Sequence, residues 1–259
     1  AATTRWLWLA CPIAQEAAAH LLWDYDAWED LAHRAVRLSR DTGALAFLPV
    51  ALIYLAGVHL HAGDFSTASA LIDEADAITA ATGYAPVTYA ALVLAAWRGD
   101  ESRALSTIDI DVNDATLRGE GTVLALAGHA KAVLYNGLGR HDVALQAARE
   151  VCAHDDDLTF VGWSLAELVE AAARSGERDE AVSAMARLEA RTDARGTDWA
   201  LGVQARSRAL LRPAQHVDDL YHEALERFER SRVAIHLSRM HLLYGECLLR
   251  ENRRTHGRV

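Results

Sequence analysis

Histidines and carboxylates are the residues of this sequence whose types and spacing could do chemistry, and a metal site is the first possibility to weigh. His59 and His61 are separated by one residue, and Asp64 follows closely. Metal ligands must converge, whereas two helical residues at this spacing face different directions. His222 and Glu223 begin a zincin-like pattern, but a glutamate stands where the second histidine is required. We read these histidines as solvated or hydrogen-bonded residues, and we predict no metal and no other cofactor.

The patterns for hydrolysis and nucleotide binding are incomplete. Lys131, the single lysine, does not end a glycine-rich phosphate loop. Gly162-Trp163-Ser164 lacks the second glycine of a nucleophile elbow, and Asp155-Asp156-Asp157 lacks the glycine and distal glutamate of a calcium loop. Glu167 and Glu170 share a helical face without an adjoining acid–base partner. The sequence therefore predicts that the chain is not an enzyme.

Composition narrows the class of protein. The 259 residues are 51% hydrophobic and 24% charged, which is ordinary for a globular chain with a real core. The formal charge of −10 argues against direct nucleic-acid binding, which needs a basic surface.

The apolar run Ala44 to Val58 is too short to span a bilayer, so we expect no membrane partner. Three distant cysteines, Cys11, Cys152 and Cys247, fit a reducing, cytoplasmic setting, and both chain ends resemble cuts from a longer polypeptide.

Turns recur along the chain and predict a helical repeat. A glycine precedes a charged residue at Gly63, Gly99, Gly139 and Gly176. Equivalent turns can be placed at Trp23-Asp24, Gln215-His216 and Asn252-Arg253, which gives steps of 36 to 40 residues. A second break, where glycine can cap a helix in the left-handed conformation, follows at Gly43, Gly83, Gly119 and Gly196. Each unit therefore has the order helix, turn, helix, turn.

A small residue at a fixed position supports this hairpin packing. Five residues after the turns lie Ala68, Ala104, Ala144 and Ala181, with Trp28 and Leu220 as the larger exceptions. Apolar residues recur at helical spacing, and no long stretch alternates with the period of a strand. Leu211-Arg212-Pro213 breaks a helix before an irregular turn. The sequence predicts one all-α domain over residues 1–259, a right-handed superhelical solenoid of about seven hairpins that resemble tetratricopeptide repeats.

In such a solenoid the first helix of each hairpin lines a concave groove. Counting back from each turn selects the inward positions, whose polar and aromatic members are His61, Tyr89, Trp97, His129, Asn136, Trp163, Glu170, Arg174, Arg239 and Glu246. Stacking rings with a few hydrogen-bonding and charged groups suit a peptide, a sugar or another polar small molecule. The same residues could instead pack neighbouring helices, and both interpretations stay open.

Several stretches resemble the tetratricopeptide-rich region of actinobacterial LuxR-family regulators of the large, ATP-binding, MalT-like type. They are RWLWLAC at 5–11, ALA at 44–46, YLAG at 54–57, DEADAI at 73–78, YAAL at 89–92, AAWRG at 95–99, AVLYNGLG at 132–139, EAAARSG at 170–176, GTDWALG at 196–202, ARSRALL at 205–211 and HLLYGE at 241–246. The resemblance covers the whole chain, and the motifs are specific only when taken together. The chain departs from the family pattern after Leu211, where an acidic or glycine-containing turn is usual.

The resemblance implies a position and a role. Such regulators carry an N-terminal ATPase module, a helical-repeat sensor region and a C-terminal helix-turn-helix that binds promoter DNA, and this chain matches the middle part. The resemblance implies a sensor and scaffold that binds a small-molecule inducer or a partner protein and signals to the flanking modules. It also implies that the regulator can form homo-oligomers in response. The alternative is a tetratricopeptide adaptor that binds peptides or proteins and no small molecule.

Overall fold

The computed structural model describes residues 18–84, 86–153, 160–213 and 217–250, and within these residues helix is the only regular secondary structure. The predicted all-α class is confirmed. After a helical turn at residues 18–21, the described chain forms α1 Tyr25–Thr42, α2 Leu48–His61, α3 Phe65–Thr82, α4 Tyr89–Arg98, α5 Glu101–Arg118, α6 Gly121–Gly137, α7 His141–Cys152, α8 Val161–Ser175, α9 Arg178–Arg195, α10 Asp198–Leu210, α11 Asp218–Ser231 and α12 Ala234–Arg250. Within the same residues, no helix is both long enough and apolar enough to cross a membrane.

The helices end where the glycine pattern predicts. Left-handed φ angles of 70° to 85° occur at Gly63, Gly99, Gly139 and Gly176, and angles of 66° to 75° at Gly43, Gly83, Gly119 and Gly196. Trp23 makes the first turn with a φ of 57° and no glycine. Asp24 and Asp64 cap the following helices, because each carboxylate accepts a hydrogen bond from a first-turn backbone N–H. The turns predicted at Gln215-His216 and Asn252-Arg253 lie outside the described residues.

The helices form two rows. Consecutive helices pack against each other, and α2, α4, α6, α8 and α10 also pack on one another in that order. We refer to these helices together with α12 as the inner row, and to α1, α3, α5, α7, α9 and α11 as the outer row. Within the inner row α8 is enclosed on all sides, since every residue from Val161 to Ala172 is buried.

Close packing between the rows depends on a small side chain at each crossing. The predicted small residues on four outer helices, Ala68, Ala104, Ala144 and Ala181, are completely buried. The assignment of Leu220 to this position is wrong, because α11 begins at Asp218 and its fourth residue, the buried Tyr221, takes the equivalent place. Leu220 is only half-buried.

Where the outer helix carries a large ring, glycine on the inner helix supplies the missing space. A Cβ on Gly57 of α2 would lie 2.7 Å from Cζ2 of Trp28, and a Cβ on Gly202 of α10 would lie 2.9 Å from Cε1 of Phe228. Contacts this short cannot be accommodated without movement of a ring packed in the core. Trp28, an exception in the sequence pattern, is therefore matched by its neighbour in α2.

The two ends of the described chain meet. Helix α12 packs on α2, and a Cβ on Gly63 would lie 3.3 Å from the Cβ of Ala234. The Arg232 guanidinium pairs with the carboxylates of Asp26 and Glu29 on α1, at 2.8 Å for Glu29. We refer to Arg232, Asp26 and Glu29 as the clasp. These contacts return the inner row to its beginning, so its helices surround a common centre.

Gly57→Ala should destabilise the protein, because the new methyl group enters the space of the Trp28 indole. We expect the free energy of unfolding to fall by about 1–3 kcal/mol, as for other overpacked cores. Urea denaturation checks this value against Gly121→Ala as the matched control. Gly121 has open space around it, so that variant should be neutral or slightly more stable. Equal stability of the two variants would contradict the packing described for α1 and α2.

Candidate functional site

Every helix of the inner row contributes one ring to a single cluster at the centre of the molecule. The central cluster consists of His20, Trp23, Trp28, His61, Trp97, His129, Phe160, Trp163, Trp199 and His236. The ring of His61 lies 5.1 Å from those of Trp163 and Trp199, measured between ring centres, and Trp97 lies 5.4 Å from His236. Aromatic contacts at these distances add to the stability gained from burial. The cluster therefore joins all six inner helices.

The four histidines of the central cluster are uncharged at neutral pH. Burial lowers the pKa of His61 to about 4 and that of His129 to about 3, and the neighbouring His61 lowers the pKa of His129 further. Burial likewise holds the pKa of His20 and of His236 well below the ordinary value. The Nδ1 of His61 lies 2.8 Å from the carbonyl oxygen of Gly57 and donates to it. The Nε2 of neutral His61 is consequently a hydrogen-bond acceptor.

A group of polar and charged side chains from α6, α8, α10 and α12, some of them buried, adjoins the cluster. The charge centre consists of Asn136, Glu167, Glu170, Arg174, Arg206, Arg239 and Glu246. Arg239 forms an ion pair with the buried Glu170, and Arg174 pairs with Glu246. The amide of Asn136 donates to the Glu167 carboxylate at 2.9 Å, whereas Arg206 lies 3.9 Å from it. Arg206 is thus the cation of this group with the weakest anionic partner.

The two neighbouring glutamates have opposite pKa shifts. Burial raises the pKa of Glu167, and the adjacent Glu170 carboxylate raises it further. Burial also opposes ionisation of Glu170, but the Arg239 and Arg206 guanidinium groups outweigh it and hold the pKa of Glu170 below its usual value. Burial lowers the pKa of Arg206, yet a guanidinium group stays protonated in a protein. The interior therefore keeps a fixed positive charge at Arg206.

Two adjoining cavities lie inside the ring of helices. The aromatic cavity has a volume of about 90 Å³ and is lined mainly by apolar and ring-bearing side chains, among them Trp28, Ile53, Tyr54, Leu60, His61, Tyr89, Ala90, Val93, Leu126, Phe160 and Trp163. The polar cavity has a volume of about 20 Å³, and its lining includes His61, Trp163, Glu167, Trp199, Arg206 and His236. His61 and Trp163 border both spaces. A third space, a cleft of about 720 Å³ beside α12, is bordered by Trp97 and Arg239.

Several polar atoms at the two cavities have no hydrogen-bond partner among the described residues. They are Nε1 of Trp28, Nε2 of His61, Nε1 of Trp163, Nε and Nη2 of Arg206, and Nε2 of His236. A buried polar atom without a partner costs about 1–3 kcal/mol, so native proteins nearly always supply one. The interior therefore offers several hydrogen-bonding groups that an enclosed polar molecule, water included, would satisfy.

The structure brings all ten predicted site residues toward this centre. His61, Trp97, His129 and Trp163 join the central cluster, and Tyr89 lines the aromatic cavity. Asn136, Glu170, Arg174, Arg239 and Glu246 join the charge centre. The predicted wall of an open groove is instead largely enclosed, because α12 returns to α2. Five of the ten residues, His61, His129, Asn136, Trp163 and Glu170, are buried, and the other five are partly exposed.

Sequence reasoning missed Trp199 and Arg206, which are central to the site. The reason is the sixth turn, which the repeat spacing predicts at Gln215 although α10 already ends at Leu210. Counting back from Arg212 by the same rule selects both residues. His20 lies three residues before the turn at Trp23, so the same counting rule includes it, although it is absent from the ten candidates. His236 lies at the start of α12, outside the counted positions.

The metal hypothesis finds no support in the described part of the chain, where no three histidine, cysteine or acidic side chains could hold an ion. His59 and His61 point apart as expected: His59 lies 3.6 Å from Asp64, while His61 points inward to the cluster. The aspartates at 155–157 lie outside the described residues.

Glu170→Gln should destabilise the protein strongly, because it leaves the largely buried Arg239 guanidinium without its hydrogen-bonded carboxylate. We expect a loss of about 3–5 kcal/mol in the free energy of unfolding, measured in urea. Asp30→Asn is the control, since it breaks an ion pair with Arg34 in which both side chains are more than half exposed. That change should cost less than about 1 kcal/mol. Similar losses in both variants would contradict the burial of the charge centre.

Acidification should destabilise the protein before its carboxylates titrate. The unfolded histidines take up protons near pH 6.5, whereas His61 and His129 stay neutral in the folded state down to about pH 4, and burial holds the pKa of His20 and of His236 well below the ordinary value. Stability is therefore fully present above about pH 6.5 and falls as the pH is lowered, by up to about 1.4 kcal/mol per pH unit for each histidine. Urea denaturation between about pH 7 and pH 5 measures this slope, which His61→Asn should reduce. A flat profile would contradict neutral buried histidines.

Comparison with known proteins adds no relative to this picture. No protein-family model matches the sequence, and no curated protein is significantly similar to it. The function must therefore be inferred from the central cluster, the charge centre and the cavities themselves.

Proposed function

We propose that this chain is the sensor and scaffold region of a LuxR-family, MalT-like transcriptional regulator, and that its inducer is a small molecule bound inside the ring of helices. The observation that carries the proposal is the aromatic cavity, which adjoins buried polar atoms without partners. The arrangement of hairpins supports a right-handed solenoid of about seven tetratricopeptide-like units. In the full-length regulator, ATPase and helix-turn-helix modules would flank it in the cytoplasm.

The closed inner row favours a small molecule over a peptide. A peptide bound to a repeat array lies extended across several units and needs an open concave face. Here the inner positions of successive hairpins are filled by the protein's own rings, and α12 closes the remaining side. A small molecule needs only a compact cavity with a few polar groups, which the interior provides.

Transmission to other modules would use the contacts that close the ring. The central cluster touches all six inner helices, so an occupant that fits one spacing of these helices better stabilises that spacing. The clasp and the contact between Gly63 and Ala234 join the ends of the array, where a change in curvature accumulates. A ligand-dependent shift between closed and open arrays could thus control flanking modules and homo-oligomer formation.

A cavity-filling variant tests the proposal. A thermal-shift screen against sugars, short peptides and common metabolites should give a saturable rise in melting temperature with at least one small molecule. Ala90→Leu fills part of the aromatic cavity and should remove that rise while the variant stays folded, because the added carbons occupy empty space. Ala80→Leu, on the exposed side of α3, is the matched control and should leave the rise intact.

Two results would contradict the sensor proposal. A rise in melting temperature that persists in Ala90→Leu would place the ligand outside the aromatic cavity. No rise with any compound, together with measurable affinity for a purified flanking module or partner protein, would favour the adaptor alternative.

A further inference from the structure

The hydrogen-bonding groups around the two cavities identify the chemistry of the occupant. On the basis of the proposed function, we infer that the ligand is a small organic acid with its apolar body in the aromatic cavity and its carboxylate toward Arg206, Trp163 and His236. The argument uses the balance of unpartnered donors and acceptors, the charge at Arg206 and the shape of the two spaces.

Most of the polar atoms without a partner at the two cavities are hydrogen-bond donors. The indole N–H groups of Trp28 and Trp163 can only donate, and so can Nε and Nη2 of Arg206. Nδ1 of His236 faces Nη1 of Arg206 at 3.5 Å and must accept, which leaves the proton on its unpartnered Nε2. Five unpartnered donors thus face one unpartnered acceptor, Nε2 of His61. The complementary occupant is rich in acceptors.

The charge centre holds three guanidinium groups and three carboxylates, so it is the position of Arg206, and not a net charge, that favours an anion among acceptors. Arg239 and Arg174 each have a close carboxylate partner, whereas the nearest carboxylate oxygen to Arg206 is 3.9 Å away, on Glu167. Glu167 also accepts from Asn136, so it is shared between two donors. Arg206 has only 1% of its surface exposed, and water cannot screen it. A carboxylate can take two parallel hydrogen bonds from a guanidinium group, which neutral acceptors cannot match.

The size and lining of the aromatic cavity limit the size and shape of the ligand's apolar body. Its volume of about 90 Å³ is below the roughly 150 Å³ of an engineered cavity that binds benzene. The apolar body of the ligand is therefore no larger than a single ring or a short branched chain. Trp28, Phe160 and Trp163 offer faces and edges for stacking. The half-buried Tyr54 and Tyr89 and the exposed Thr122 border the same space and mark its route to solvent. His61 and Trp163, which border both cavities, stand where body and carboxylate would join.

Pairs of acids and amides of the same shape test the inference directly. Benzoate and isovalerate are compared with benzamide and isovaleramide by calorimetric titration of the whole chain at neutral pH. An amide keeps the carbonyl but replaces the anionic oxygen by a donor, which would face the donors of the site. We expect at least one acid to bind at least about tenfold more tightly than its amide.

Substitutions at the cavities test where the preference for the acid over the amide arises. Trp163→Phe keeps an aromatic ring but removes one donor, and it should weaken acid binding by about tenfold while amide binding changes little. Tyr135→Phe is the matched control, because it removes one hydrogen-bond donor, to Glu101, at a residue that lines neither cavity, and it should leave both affinities unchanged. If Trp163→Phe fails to fold, His236→Phe removes the unpartnered Nε2 donor of the polar cavity and takes its place.

The outcomes separate this inference from the proposed function. Equal affinity for acid and amide, abolished by Ala90→Leu, would overturn the anionic ligand and leave the sensor proposal standing. No binding of either acid at millimolar concentration would also overturn the inference, with ordered water as the occupant of the polar cavity. Neither result would decide the sensor proposal, because the thermal-shift screen against other small molecules tests it separately.

Discussion

Arg232 lies 206 residues after Asp26 in the chain, yet its guanidinium pairs with Asp26 and Glu29 on the first described helix. This clasp is exposed, and such pairs individually stabilise a protein by less than about 1 kcal/mol. Its importance is geometric, because it accompanies the packing of α12 on α2 and the approach of Ala234 to Gly63. Closure turns the concave face of a helical array into an interior. The polar groups placed there lose contact with water and must find partners inside the molecule.

Close approach of the helices makes this interior possible, and it depends on matched side-chain sizes. Alanine on the outer helix allows most crossings, while Gly57 opposite Trp28 and Gly202 opposite Phe228 allow the others. Because every inner helix then contributes a ring to the central cluster, a change in the position of one helix alters the ring contacts of the other five. Rigid packing of this kind favours discrete arrangements over gradual deformation. The same property suits a module that must report whether its interior is occupied.

The local features of this fold could be predicted from the sequence, and the long-range ones could not. The left-handed glycines from Gly43 to Gly196 set helix boundaries through backbone sterics alone, so their pattern predicts the turns. Counting from those turns also selects ten residues, which the structure distributes among the central cluster, the aromatic cavity and the charge centre. Closure depends on contacts between residues far apart in the chain, such as the hydrogen bond from the Thr197 hydroxyl to the carbonyl of Trp23, 174 positions earlier, and no local pattern encodes them. Trp199 and Arg206 were missed because the irregular segment after Leu210 shifted the count.

The central claim is that the ligand-free array is closed, and a distance across the closure tests it most directly. Spin labels at Ser66→Cys on α3 and Ser238→Cys on α12 sit on exposed positions beside the contact between Gly63 and Ala234. With Cys11, Cys152 and Cys247 replaced by alanine, pulsed electron paramagnetic resonance reports the distance between the two labels. The closed array predicts one short, narrow distance distribution. A broad distribution centred at long distance would show an open groove and contradict the account.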